Sequence, residues 1–374
     1  MKEFIYKCIN GICNCMPMKE KKIFFMSYYG SQYGCNPKYL SEYFVTHHPD
    51  WDVVWAFTEP DKHEHVGIRK VRYMSPRYYY ELCTSQVFVT NYRMTEQYKK
   101  RKGQLYIQTW HSSLRLKMIE GDAEESLPPH YVKMAKRDSR QTSALLSGCQ
   151  FSTEIFKRSF WYDGPIIPTG TPREDILFSD DLSLRNDIKT KLGVKKSTKL
   201  LLYAPTFRKD NTLKYYDIDF NLLVNALTRK WGGDWMILLR LHPHLRAFSQ
   251  QLVGDNPQII DATAYDDIQE LLYVADVVIS DYSSLIFDFA MTQRPCLLYV
   301  PDLEEYTSKD RNLYFDIKEL PFPICQSNQH LRQCIEMFDK DRYQQEVAAF
   351  NQQTGSYETG HSCKNVAQYI IENT

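Results

Sequence analysis

One pattern repeats along the chain: a short apolar run, a polar turn, then an amphipathic stretch. The runs fall at 22–29, 52–57, 86–91, 105–110, 143–147 and 165–169, and again at 200–204, 235–241, 277–280 and 296–300. Helical stretches alternate with them, opening at Asn36-Pro37 and at Ser75-Pro76 and covering 152–160, 221–231, 268–275 and 285–292. Runs that are apolar throughout, rather than alternating, mark strands covered on both faces, and alternation with helices marks parallel βα units. At roughly 100–200 residues per domain, 374 residues make two such domains. The polar stretch 173–198 reads as the linker between them. The expected organisation is an amphipathic segment over 1–22, an α/β domain over 23–175, a second over 190–355 and a closing helix over 356–374. The fold class is α/β, in the two-domain GT-B arrangement: doubly wound Rossmann-like domains facing a cleft, with a helical C-terminal tail.

Open α/β sheets bind ligands beyond the carboxyl ends of their strands, and that rule selects the residues of interest. In the first half, the run 105–110 leads into His111-Ser112-Ser113; in the second, 235–241 leads into His242-Pro243-His244. A lone histidine is commonly structural, but two at strand ends of two domains point to chemistry. The segment Ile279-Ser280-Asp281-Tyr282-Ser283-Ser284 ends an apolar run and starts a helix. A helix start offers unpaired N–H groups and a positive dipole end, which suit phosphate, and Ser283 and Ser284 add hydroxyls. The same serines also read as an N-cap, and the two roles are compatible. Arg208 closes Tyr203-Ala204-Pro205-Thr206-Phe207-Arg208, where a planar guanidinium fork can pair with a diphosphate. Arg311 precedes Asn312 and Tyr314-Phe315-Asp316 and is placed over the same ligand.

Composition removes several classes. Lys plus Arg and Asp plus Glu each total 46, so the net charge is zero and a nucleic-acid partner is not expected. Neither glycine-rich phosphate loop is present, which argues against a Rossmann dehydrogenase or a P-loop enzyme. The 10 cysteines are scattered, and Cys8, Cys13 and Cys15 lack a second ligand pair at zinc spacing, so free thiols in a reducing compartment, and no metal or cofactor, are expected. The first 22 residues interleave Phe4, Ile5, Tyr6, Ile9 and Ile12 with lysines. Two readings fit: a basic amphipathic segment on an anionic membrane surface, or a helix packed on its own domain.

The runs Thr109-Trp110-His111-Ser112-Ser113-Leu114, Arg240-Leu241-His242-Pro243-His244 and, above all, the stretch 277–299 resemble the CDP-glycerol glycerophosphotransferase family. The segments 203–208, 170–175, 312–316 and 36–40 fit the same pattern. The resemblance implies a GT-B transferase of teichoic acid or capsule-like polymer synthesis, cytoplasmic and peripheral at the inner face of the membrane. It implies a CDP-glycerol or related CDP-alditol donor, a lipid-linked glycan acceptor, and release of CMP. The family's two motif histidines fall on His111 and His242, read as catalytic; donor contacts fall on Asp281, Ser283 and Ser284, with Arg208, Pro243 and Arg311 as further substrate contacts. One departure stands out: the family commonly has Gly-Thr-Pro after the first histidine, where this chain has Ser112-Ser113-Leu114. The alternatives are a GT-B glycosyltransferase using a nucleotide sugar, an epimerase-like enzyme needing no acceptor, and a silent binding protein of the same fold.

Overall fold

The computed structural model describes residues 2–208, 214–242, 245, 248–309 and 312–374. Pro243 and Arg311, both expected at the substrate, lie outside the described residues. The chain forms two units: Met1–Ser113, Ile119–Asp175 and Gly355–Thr374 make the first, and Leu114–Met118 with Ile176–Thr354 the second.

The first unit holds seven strands: β1 (Lys19–Met26), β2 (Asp52–Phe57), β3 (Ile68–Arg72), β4 (Ser85–Thr90), β5 (Leu105–Gln108), β6 (Ala144–Leu146) and β7 (Ile166–Ile167). They pair in the order β3-β2-β1-β4-β5-β6-β7, and every pairing is parallel. Alternate side chains face opposite layers. Ile23, Phe25, Val53, Trp55, Val89 and Ile107 pack with Leu40 and Phe44 of helix Cys35–His47 and with Val366 and Ile370 of helix Ser362–Glu372. Phe24, Met26, Val54, Phe88 and Tyr106 pack on the other side with Tyr78, Tyr79 and Leu82 of helix Pro76–Thr84, whose start is capped by the Ser75 hydroxyl accepting from Tyr78 N–H.

The second unit holds β8 (Lys199–Tyr203), β9 (Trp235–Leu239), β10 (Ile259–Asp261), β11 (Val277–Ser280), β12 (Cys296–Tyr299) and β13 (Ile324–Cys325). Their order is β10-β9-β8-β11-β12-β13, again all parallel. This is the doubly wound Rossmann order, with its switch point between β8 and β11. The α/β class with two Rossmann-like sheets, expected from the repeat, is what the chain adopts.

The N-terminal basic stretch divides. Helix Lys2–Cys13 lays Tyr6, Ile9 and Cys13 against helix Pro76–Thr84, with Tyr6 stacked on Tyr79 and Asn10 Nδ2 donating to Cys83 Sγ. Lys22 belongs to β1 and is buried; its ammonium meets the buried Glu81 carboxylate at 2.5 Å and donates to Thr84 Oγ1. Burial pulls the Lys22 pKa down, while Glu81 opposes that. Among the described residues no helix is long and apolar enough to cross a membrane.

Because a buried ion pair punishes loss of one partner, Glu81→Ala, which strands Lys22, is expected to destabilise the first unit by about 3–5 kcal/mol. Urea unfolding followed by tryptophan fluorescence measures this.

Candidate active site

The first histidine stands three positions past the end of β5, not directly on it. The strand stops at Gln108, and Trp110 takes a left-handed backbone with φ of 51°. That turn is held from several sides. Asn36 Nδ2 donates to the carbonyls of Thr109 (3.3 Å) and Trp110 (3.2 Å), and the Gln108 side chain accepts from Trp110 N–H at 3.0 Å. Asn36 Oδ1 in turn accepts from Arg173 N–H at 3.0 Å, so one buried amide ties the His111 turn to the Gly170-Thr171-Pro172-Arg173 segment. The His111 ring is half-buried against Tyr92 and Trp110, with Nδ1 3.3 Å from the Asn91 carbonyl oxygen. A carbonyl only accepts, so this contact selects the tautomer with the proton on Nδ1 and the lone pair on Nε2.

Behind the turn lies Glu358, which no motif of the sequence singles out. Its carboxylate accepts from Thr171 N–H (3.0 Å to each oxygen) and from Thr171 Oγ1 at 2.8 Å, with the Ser362 hydroxyl at 3.4 Å. Gly170 has a φ of +77°, and a Cβ there would lie 2.7 Å from Glu358 Oε2, so only glycine admits this carboxylate. Burial, helped by the nearby Asp175, outweighs these hydrogen bonds and pushes the Glu358 pKa up to about 7.

In the second unit, His242 also stands three positions past its strand, β9. The connection is pinned on its flank: Leu241 N–H donates to Thr263 Oγ1 at 3.2 Å, and Arg240 reaches the Ala262 and Tyr265 carbonyls. The His242 ring is exposed and packs against Phe207, centroids 5.4 Å apart.

Arg208, Asp281, Ser283 and Ser284 come together at the switch point, on the loops leaving β8 and β11. Here Arg208 and Asp281 have each other as partners. The buried Arg208 guanidinium pairs with Asp281 at 3.0 Å and with Asp302 at 2.7 Å, and donates to the Thr206 carbonyl at 2.7 Å. Asp281 also accepts from Thr206 N–H at 2.8 Å. Tyr282, whose hydroxyl donates to Asp302, stacks on Tyr306 with rings 3.6 Å apart, and both rings lie 4.9 Å from the guanidinium carbon. The cluster thus locks the two loops together. Ser284 Oγ accepts from Leu116 N–H at 3.2 Å, and the Leu116 carbonyl accepts from Tyr314 N–H, so the strap Leu114–Met118 runs alongside. Ser283 and Ser284 are half-buried at the start of helix Leu285–Ala290.

A profile of the family described as CDP-Glycerol:Poly(glycerophosphate) glycerophosphotransferase matches residues 9–372. The chain belongs to that family. It is 32% identical over 98% of its length to the teichoic acid poly(glycerol phosphate) polymerase of Bacillus subtilis strain 168, of which it covers 51%. It is 30% identical to the teichoic acid glycerol-phosphate transferase of Staphylococcus aureus NCTC 8325, covering 94% of this chain and 92% of that one. The chain therefore spans about half of the first relative and nearly all of the second. A solved structure of the wall teichoic acid polymerase TagF, a histidine variant soaked with CDPG, superposes with a TM-score of 0.86 at 29% identity, over 100% of this chain and 93% of that one.

Two outcomes follow from this geometry. Asn36→Ala takes the side-chain donor from the Thr109 carbonyl and the acceptor from Arg173 N–H, while the Trp110 carbonyl keeps the Thr109 hydroxyl, and is expected to lower unfolding free energy by about 1–3 kcal/mol in urea titrations. Glu358 holds its proton in the folded chain up to about pH 7 but releases it near 4.3 when unfolded. Between those values the native state binds the extra proton, so stability falls as pH rises from about 4.3 toward 7. Thermal unfolding across that range is expected to show the decline, and Glu358→Gln to flatten it.

Proposed function

We propose that this protein transfers glycerol phosphate from CDP-glycerol to a hydroxyl of a lipid-linked glycan or polymer acceptor, releasing CMP, in teichoic acid or related surface-polymer synthesis. The observation that carries this reading is the match over the whole chain to a polymerase structure soaked with CDPG, joined to the family match over residues 9–372.

The acceptor oxygen attacks the β-phosphorus of the donor. A new P–O bond forms, the bridging P–O bond to the cytidine side breaks, and CMP leaves with its electron pair. Such transfers depend on in-line positioning and charge stabilisation more than on covalent chemistry. The hydroxyl proton goes to His111 Nε2, a role supported by the contact of Nδ1 with the Asn91 carbonyl. His242 donates to a phosphate oxygen, and the hydroxyls of Ser283 and Ser284 take the diphosphate. Arg208 and Asp281 position the loops that carry them. Pro243 and Arg311 complete the proposed donor contacts. We further propose that the protein works at the inner face of the membrane, where such an acceptor is held.

The test is CMP release by the purified protein from CDP-glycerol, with CDP-ribitol and UDP-sugars beside it, in the presence of membrane-extracted acceptor. Acceptor-dependent CMP release from CDP-glycerol is expected. His111→Ala is expected to lower turnover about 10²–10⁴-fold, as loss of a general base does. His242→Ala is expected to lower it about 10²–10³-fold, the loss typical of a donor to developing charge. Release of UDP instead would make the protein a nucleotide-sugar glycosyltransferase, and turnover indifferent to both substitutions would remove the histidines from the chemistry.

A further inference from the structure

The amino ends of the strands in the first unit carry a feature that the proposed transfer does not use. Helix Lys2–Cys13 precedes β1, Lys99–Lys102 precede β5, and Arg140 follows helix Pro129–Ser139 on the way to β6. His111 follows the other end of β5, so this feature lies at the opposite edge of the sheet. Here the chain forms a groove of about 880 Å³ whose lining includes eight cationic side chains and a single carboxylate, Glu96. In a protein of zero net charge, such a concentration of one sign is a local construction.

The cations divide into two sets. Three are fixed to the protein: Lys100 donates to the Gln104 carbonyl and the Ser143 hydroxyl, Arg101 to the Cys83 carbonyl, and Arg137 to the carbonyls of Glu96 and Tyr98. These are neutral acceptors, and none of the three has an ion pair among the described residues. The other five, Lys7, Lys99, Lys102, Lys133 and Arg140, are exposed and have no ion pair among the described residues. Like charges gathered without counter-charges repel one another, and the arrangement gains from a bound polyanion. A volume of about 880 Å³ exceeds what a single phosphate fills and suits a stretch of chain.

We propose that this groove is a binding site for an extended phosphodiester chain, the growing or finished poly(glycerol phosphate), held away from the site of transfer. This rests on glycerol phosphate transfer as the protein's reaction, which yields one negative charge per repeat. An anionic membrane is the rival occupant. The groove favours a chain, because it is concave and its cations line the walls. A membrane-lying helix also needs an apolar face to insert, whereas Tyr6, Ile9 and Cys13 are spent on the protein's own core. Among the described residues, Ile12 and Met16, at 64% and 37% exposure, are the exposed large apolar side chains near it.

The test is binding of the full chain to an end-labelled synthetic oligo(glycerol phosphate), followed by fluorescence anisotropy with no nucleotide donor present. Wild-type affinity is expected to fall steeply with added salt, and Lys99→Glu/Lys102→Glu/Arg140→Glu to bind about tenfold more weakly or worse. The neutral triple variant Lys99→Gln/Lys102→Gln/Arg140→Gln should fall between, and melting temperatures near that of the wild type would assign the loss to charge. Two results overturn the inference: charge-reversed protein that binds the oligomer as the wild type does, or wild-type protein that ignores the oligomer but sediments with vesicles containing phosphatidylglycerol. Because no donor is present, the outcome is independent of turnover. Oligomer binding lost in the variants without any CMP release would retire the proposed transfer and keep the groove; CMP release with unaltered oligomer binding would do the reverse.

Discussion

Parallel pairing is the constraint on which everything else here depends. A parallel strand cannot be followed directly by its neighbour; the chain must cross over, through a helix in most of these units, and return to the same starting edge. All seven strands of one sheet and all six of the other obey this, so within each unit every loop that leaves a strand emerges on one edge. His111 leaves β5 on that edge of its sheet, and His242, Arg208 and Asp281 leave β9, β8 and β11 on that edge of theirs. The cationic groove is built from the helices and loops that lead into strands, and so falls on the other edge. In the first unit the same rule thus separates two chemistries, the imidazole at one edge and a cluster of ammonium and guanidinium groups at the other.

Parallel sheets are also the reason so much of the fold could be read from residues alone. A strand segment covered on both faces is a run of apolar residues, and β2, β4, β5, β8, β9, β11, β12 and the second half of β1 announce themselves this way, while Lys19–Lys22 of β1 do not. The strands that escaped notice, β3, β10 and β13, lie at sheet edges. Ile68-Arg69-Lys70-Val71-Arg72 buries only Val71, and β13 is two residues long. With one neighbour instead of two and a face open to water, nothing forces apolar residues into such a segment. The role of Lys22 is hidden from the sequence for a related reason. Lys22 resembles its basic neighbours in sequence, and only the fold brings Glu81, on a later helix, to neutralise it.

The candidate site shows the same division. A histidine past an apolar run is legible because strand ends are legible. What holds that histidine's turn is not, since Asn36, Asn91 and Arg173 come from three distant parts of the chain. Glu358 reads in sequence as an ordinary residue of the closing helix expected over 356–374, whereas in the fold it precedes helix Ser362–Glu372. Its meaning comes from Gly170, whose missing side chain makes room for it, and from Thr171, which supplies two donors to it. The proton it keeps to about pH 7 reflects burial that no local pattern encodes.

Arg208 carries this argument furthest. From sequence, a guanidinium at a strand end suits a diphosphate. In the fold its charge is met by two buried carboxylates, Asp281 and Asp302, so the cluster as a whole carries excess negative charge at the switch point. Such a cluster attracts no diphosphate by itself. Its value is geometric: two loops from adjacent parallel strands are fixed to each other before any ligand arrives, and fixing them costs no ordering entropy at binding. In the proposed reaction the positive charge and hydrogen-bond donors must then come from groups those loops carry or neighbour, namely His242 and the hydroxyls of Ser283 and Ser284. In the proposed reaction the most buried cation of the motif would thus shape the loops of the donor site, and the exposed imidazole beside Phe207 would supply positive charge there.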